Sequence, residues 1–353
     1  MVVGDLGSCR ELLFITPMLI RWGYTLVWFA DPQGKAKDYL TKEEVQFREE
    51  LPSLEERPNL VLIGTSVSAW QFQVAMTERG HQWGSPVLWL EDLHGTGARL
   101  PVRCVNPDVM LVIDEVAETI THRTRPGVKT YVIGKPTFAD LSPIQGSDIR
   151  SRIRNENGIG QRDILVSYWS GGEIPERAEQ QLQALVTFAN LHRDRVVLVP
   201  RLHPKLPSGF RDEMWQFVKT NAPRVFHASE LPADHLHLAS DVVTAEWTGT
   251  EGLRAMLLER PVLVWMFPMK GDEERLRSVY PNESPPLLEA GAALAIATQT
   301  DLDVIMKIAE DPGRALQALS DGRQDFLPLL MPGADRRAAT VIEHNLRTFL
   351  TDV

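Results

Sequence analysis

The chain has 353 residues, 43% of them apolar and 24% charged, and a formal net charge of −10. That length suits about two domains, and the composition is that of an ordinary globular protein. The acidic balance argues against a general nucleic-acid binder, which would show a basic face, and two cysteines (Cys9, Cys104) are too few for a disulfide framework or a cysteine zinc cluster.

Taken in chain order, short β-rich runs alternate with amphipathic ones. "MVVG", "TLVWFA", "NLVLIG", "PVLWLE", "VMLVID" and "KTYVIG" are continuously apolar, as strands buried on both faces are. Helical windows fall at Cys9–Trp22, Trp70–Arg79 and Glu115–Arg123. The early apolar window Leu12–Phe29 is broken by Pro17, Arg21 and Gly23 and is too short to cross a bilayer. No Lys or Arg precedes Arg10, and Asp5 lies where a secretory signal would be positive. These features predict a cytoplasmic protein without an integral membrane segment.

A polar stretch, residues 142–162, follows with little apolar periodicity and reads as a connection. The pattern then restarts. "DILVSYW", "RVVLVPRL", "RVFHA", "DVVTAEW", "PVLVWMF" and "ALAIA" read as strands; Glu176–Leu191, Gly209–Asn221, Glu251–Leu258 and Arg336–Leu350 read as helices. The expected organisation is an α/β domain over 1–145, a linker over 146–160, a second α/β domain over 161–333 and a C-terminal helix over 334–353. Alternating β and α elements imply two open parallel sheets, with ligands at the carboxyl ends of strands and hence in the cleft the two domains face.

Three strand ends of the second half carry ligand-suited loops. Ser170, Gly171 and Gly172, with Pro175 two residues past Glu173, suit either a close phosphate approach at a helix start or a plain turn. Arg201, His203 and Lys205 put three cationic groups within five residues, either around a diphosphate or on a solvated turn. Thr248, Gly249, Thr250 and Glu251 spell both a phosphate-binding helix start and an S/T-x-x-E capping box. The capping reading fully accounts for Thr248 and Glu251 and leaves the turn's amides for a ligand. Trp169 and Trp247 flank these loops as core residues or base-stacking ones. The spacing of His235 and His237 favours a surface or packing role over metal binding, and no carboxylate cluster suggests a metal site. In the first half, Glu91, Asp92 and His94 place three titratable groups in one strand-end loop, as general-base candidates. The bland alternative has Asp92 capping a helix and His94 on the surface.

Most of the chain resembles, in order, the GT-B superfamily: nucleotide-sugar glycosyltransferases and the UDP-N-acetylglucosamine 2-epimerases that share their fold. "RELLFITPML" is similar to the epimerases' first helix, with Glu11 followed six residues later by Pro17. "LVLIGTS" with "GSPVLWLEDLHGT" resembles a strand–helix–strand ending in a glutamate near the sugar, which maps to Glu91. "YVIGKPTFADL" resembles the close of the first domain. The His203-Pro204 loop and "ASDVVTAEWTGTEGLRAMLLERPVLVW" resemble the segments around the nucleotide diphosphate. "PGADRRAATVI" looks like the last helix, which in GT-B proteins often crosses back to the first domain. Three departures stand out: Thr65 replaces the epimerases' acidic residue, "ARLPVRCVNPD" lacks a second glutamate pair, and Arg254 stands where related transferases carry a carboxylate.

The resemblance implies two Rossmann-like domains and a glycosyltransferase-like enzyme with a nucleotide-diphosphate sugar, UDP-linked by preference, as substrate. No separate cofactor or metal is implied. The setting would be cell-envelope, polysaccharide or glycoconjugate synthesis, with an acceptor the sequence does not name; a homo-oligomer is allowed. An epimerase or hydrolase on the same site, or a catalytically silent nucleotide-sugar-binding module, are the alternatives.

Overall fold

A computed structural model of the chain describes residues 1–97, 105–138, 141, 146–172, 174–228, 230–247, 249–280, 282–330 and 332–351. The chain forms two compact units. Unit 1 comprises Met1–Asp140, Arg275–Glu283 and Pro328–Val353; unit 2 comprises Leu141–Glu274 and Ser284–Leu327.

Unit 1 is built on seven strands: β1 Val2–Val3, β2 Trp28–Ala30, β3 Phe47–Arg48, β4 Val61–Gly64, β5 Val87–Leu90, β6 Val109–Val112 and β7 Lys129–Val132. Their order is β3-β2-β1-β4-β5-β6-β7 and every pairing is parallel. β4, β5 and β6 are buried at every position, which is why they read as unbroken apolar runs. Strand β3 is an addition to the expected set. It is two residues long, at the edge, and neither of its residues is buried, so it leaves no apolar signature.

The helix Ala334–Thr351 packs along the helix Leu6–Arg21 and contributes Ala338, Ala339 and Ile342 to the core that holds Leu12, Ile15 and Leu19. Its start is fixed at the end of β7. Arg337 Nε donates to the Ile133 carbonyl at 2.8 Å, and Gly134, at φ 83°, leaves room that a Cβ would close to 2.7 Å from the same guanidinium. The last helix therefore belongs to unit 1, as the resemblance implies.

Unit 2 has five parallel strands: β8 Ile164–Trp169, β9 Val196–Arg201, β10 Val242–Glu246, β11 Val262–Trp265 and β12 Leu294–Ile296, in the order β12-β11-β10-β8-β9. "RVFHA" does not form a full strand. It makes one bridge, Val225 to Leu198, held by two backbone hydrogen bonds.

The stretch expected to be a linker contains the helix Gly146–Glu156, which unit 2 includes. Its arginines hid it from a reading by apolar periodicity. Arg154, 6% exposed, donates to Asp241 at 2.8 Å and to the carbonyls of Gly160 and Asp163, and Arg150 to those of Ala239 and Ser240. Charge that sequence assigns to a solvated surface is here paired inside the unit. Among the described residues no helix is long and apolar enough to cross a membrane, and no group of three His, Cys, Asp or Glu could hold a metal ion.

Candidate functional site

In unit 2 the strand order reverses between β8 and β10, the point at which open α/β sheets bind ligands beyond their carboxyl ends. Two of the three loops singled out in the sequence leave from these strands, and the third leaves from β9, the other neighbour of β8. Ser170, 8% exposed, joins two of them: its Oγ accepts the His203 backbone N–H at 2.8 Å. A Cβ on Gly172 would fall 2.4 Å from His203 Nδ1, and one on Gly171 would fall 1.9 Å from Glu246 Oε2. Both glycines are thus required by side chains of the protein itself, independently of any phosphate.

His203 Nδ1 accepts the Lys205 backbone N–H at 3.1 Å. In the neutral ring that bond places the proton on Nε2, which is then a donor. Arg201 has a different task. Its Nη1 donates to the carbonyls of Ala228 and Leu231, and its guanidinium lies 5.1 Å from the Trp169 ring centre. Burial also holds its pKa below the usual arginine value. Arg201 therefore fastens Ala228 and Leu231, and the cationic trio reduces to His203 and Lys205.

The helix of the third loop runs Thr250–Leu257, with Gly249 at its N-cap and no side-chain cap from that residue. The expected cap was Thr248, one residue earlier; Thr248 itself lies outside the described residues, as does Glu173. Glu251 Oε2 is bonded to His237 Nε2 at 2.8 Å. His237 is fully buried and stacks on Trp169 with ring centres 4.4 Å apart, and burial lowers its pKa despite Glu251. His237 is a packing residue, as its spacing suggested, and Trp169, at 7% exposure, is core. Glu251 is anchored toward that core, while the first amides of its helix have no intrahelical acceptors and remain the part of the turn suited to an anion.

The sequence reading missed a buried ion cluster beneath these loops. Arg177, 1% exposed, sits in the first turn of the helix Pro175–Leu191 and donates to Glu246 at the end of β10 and to Asp272. Glu246 is the sole charged residue of β10, "VVTAE", and that oddity was the available signal.

In unit 1 the loop 91–97 follows β5. Glu91, 1% exposed, turns inward and accepts the Gly97 N–H at 3.0 Å, bracing the loop. His94 Nε2 lies 2.6 Å from Asp114 Oδ2, both nearly fully buried. Asp114 also caps the helix Glu115–Thr124 by accepting the Ala117 N–H. Burial opposes its ionisation, but His94 and the Ala117 and Val116 amides outweigh that, and its carboxyl sits below the usual range. His94 is thus neither on the surface nor isolated: it forms a His–Asp dyad, with Asp114 as the partner that sequence did not pick.

Asp92 is half-buried and accepts from Thr96 Oγ1 at 3.1 Å, and its Oδ2 rests over Gly7, where a Cβ would come within 2.1 Å. The next helix among the described residues, Glu115–Thr124, is capped by Asp114 instead. The Asp92 backbone carbonyl accepts from Lys135, which also donates to Glu11 Oε1 at 2.5 Å; Glu11 takes two further bonds from Thr137. Lys135 and Glu11 are 2% and 1% exposed. Burial raises the Asp92 carboxyl above its usual range; Lys135 opposes this, while Asp5 and Glu11 add to it. A carboxyl raised on folding binds more protons folded than unfolded. Its contribution is therefore favourable below the unfolded value of about 3.9 and is lost as pH climbs through the folded one. Asp92→Asn is expected to lessen the decline in stability above about pH 4 and to raise the melting temperature at neutral pH. A lower neutral-pH melting temperature would sink the burial account.

No family model and no curated protein matches the sequence. Solved structures do match over almost its full length. S. aureus MnaA in complex with UDP superposes with a TM-score of 0.69 at 16% identity, covering 98% of this chain and 96% of that one. The Neisseria meningitidis UDP-GlcNAc 2-epimerase bound to UDP-GlcNAc gives 0.66 at 13%, covering 98% and 99%. Acinetobacter baumannii MurG gives 0.61 at 12%, covering 97% and 99%. The chain shares the fold of these proteins, the GT-B fold.

Proposed function

We propose that this chain is a GT-B glycosyltransferase that uses a nucleotide-diphosphate sugar, UDP-linked by preference, in cytoplasmic synthesis of a polysaccharide or glycoconjugate. The observation that carries this reading is the arrangement at the β8/β10 switch point: His203 is locked over Gly172 with Nε2 as donor on one side of the β8 loop, and the helix start at Gly249–Thr250 follows β10, the neighbour on the other side. The leaving diphosphate would take hydrogen bonds from His203 Nε2 and the amides of Thr250 and Glu251, and charge from Lys205. That UDP and UDP-GlcNAc are the bound ligands of two similar structures supports uracil as the base. In unit 1 the His94–Asp114 dyad and Asp92 are the acceptor-side groups: a carboxylate-oriented imidazole can take a hydroxyl proton as the glycosidic bond forms.

The test is a thermal-shift screen across UDP, GDP, CMP, CDP and ADP and their sugars. Ligand at a hundred times its Kd should stabilise the protein by about 2.7 kcal/mol. With a turnover assay in hand, His203→Ala should lower kcat by on the order of 10²-fold, as loss of one transition-state donor does. Unchanged turnover would refute the assignment.

The raised Asp92 carboxyl favours a second reading, an epimerase or hydrolase using it as a proton-transfer group. That enzyme would turn over a UDP-sugar with no acceptor present, whereas the transferase would not.

A further inference from the structure

A cavity of about 540 Å³ lies in unit 1 at the opposite end of the sheet, against the starts of β1, β2 and β4. Its walls include Leu19, Phe29, Met76, Trp83, Ile342 and Leu346, and its volume falls within the roughly 300–1,000 Å³ of small-molecule sites. One wall is an irregular strap over residues 49–60, pinned to the end of the helix Trp70–Trp83. Trp83 Nε1 donates to the carbonyls of Ser53 and Leu54, Arg79 to that of Pro52, and Ser85 to that of Pro58.

Two features of the rim point to a ligand. Among the described residues, six large apolar side chains are exposed, and four of them, Ile20, Val27, Leu51 and Leu54, lie within two residues of the lining or belong to it. Val27, part of the lining and 45% exposed, presents surface that a bound hydrocarbon would cover. The two arginines of the lining also differ. Arg48 is neutralised by Glu56, whereas Arg57 donates to the Gly84 carbonyl and has no carboxylate partner among the described residues. A membrane surface fits less well than a single molecule. Glu49, Glu50 and Glu55 crowd the same strap and would repel an anionic bilayer, while one small ligand need meet only Arg57.

We propose that this cavity binds a free single-chain amphiphile with one anionic head, its hydrocarbon inside the cavity and its head at Arg57. The cavity is lined by residues of unit 1 alone, and the proposal does not rest on the function proposed above.

The test is competition of decyl phosphate, decanoate and decanol, below their micellar concentrations, against a dansyl-labelled fatty acid titrated into the full chain. Saturable one-to-one binding is expected, with both anions tighter than decanol. Leu346→Trp, which fills the cavity, should weaken binding by at least about tenfold. Arg57→Gln, at an exposed position that does not threaten folding, should weaken the anions and leave decanol unchanged. Absence of saturable binding, equal affinity for decanol and the anions, or binding untouched by either variant would overturn the proposal. So would co-sedimentation with phosphatidylglycerol vesicles by a protein that binds no monomeric probe, which would make the face a membrane contact instead.

Discussion

Arg177→Ala is expected to lower the unfolding free energy by about 3–5 kcal/mol, the range for stranding a buried charge by removing its partner. Arg177 is 1% exposed and answers two carboxylates, Glu246 at 5% and Asp272, so its loss leaves Glu246 charged beneath the loops proposed to hold the nucleotide. The double variant Arg177→Met with Glu246→Gln removes the cation and its more buried carboxylate, leaving Asp272, whose side chain is 14% exposed, and should recover much of the loss, since a buried pair replaced as a pair is often near neutral. Urea unfolding of the two singles and the double decides it. A double variant no more stable than the single Arg177→Met would show that a stranded Glu246 charge is not what makes the loss of Arg177 costly. Glu246 also lies against Gly171, so releasing it should alter the turn beneath the proposed diphosphate as well as the stability.

The second large effect is expected at Lys135. Lys135→Met removes the cation that Glu11 faces at 1% exposure, and should cost about 3 kcal/mol. The low end of the range applies because Thr137 still donates two hydrogen bonds to Glu11. A second readout separates this from simple loss of packing. Lys135 is the charge that holds down the Asp92 carboxyl, so the variant should move Asp92 further above its ordinary range. Carbon-13 NMR titration of the Asp92 carboxyl would show that shift. An unmoved Asp92 would mean that Lys135 and Asp92 are electrostatically separate despite the shared hydrogen bond.

The elements visible in the sequence were those whose burial leaves a local pattern. β8 is buried at all six positions and β10 at all five, so their runs are unbroken, and the helix Pro175–Leu191 announces its start with proline. Elements held by distant partners were not visible. The helix Gly146–Glu156 is polar because Arg150 and Arg154 answer Asp241 and carbonyls elsewhere in the chain, and residue spacing cannot show that pairing. The same reason divides the site. His203, Ser170 and Gly172 fall together because adjacent parallel strands end together. Arg201 looked equivalent to His203, because sequence gives a charge without its partners; here the partners are Ala228 and Leu231. Glu246, Arg177, Lys135 and Asp114 were passed over because each is a charge inside, where composition places none by default.

The pairing of the first and last helices bears on how the chain assembles as it is made. Unit 1 is discontinuous, with unit 2 threaded through its sequence, and its core needs Ala338, Ala339 and Ile342 from the final helix. A nascent chain at roughly 5–20 residues per second delivers every strand of unit 2 before that helix leaves the ribosome. Leu12, Ile15 and Leu19 share their core with early residues such as Val3, Leu40 and Leu62, but the part of it that Ala338, Ala339 and Ile342 complete stays open until unit 2 has emerged. The unit that begins first in the sequence is thus closed after the unit inserted into it has been synthesised.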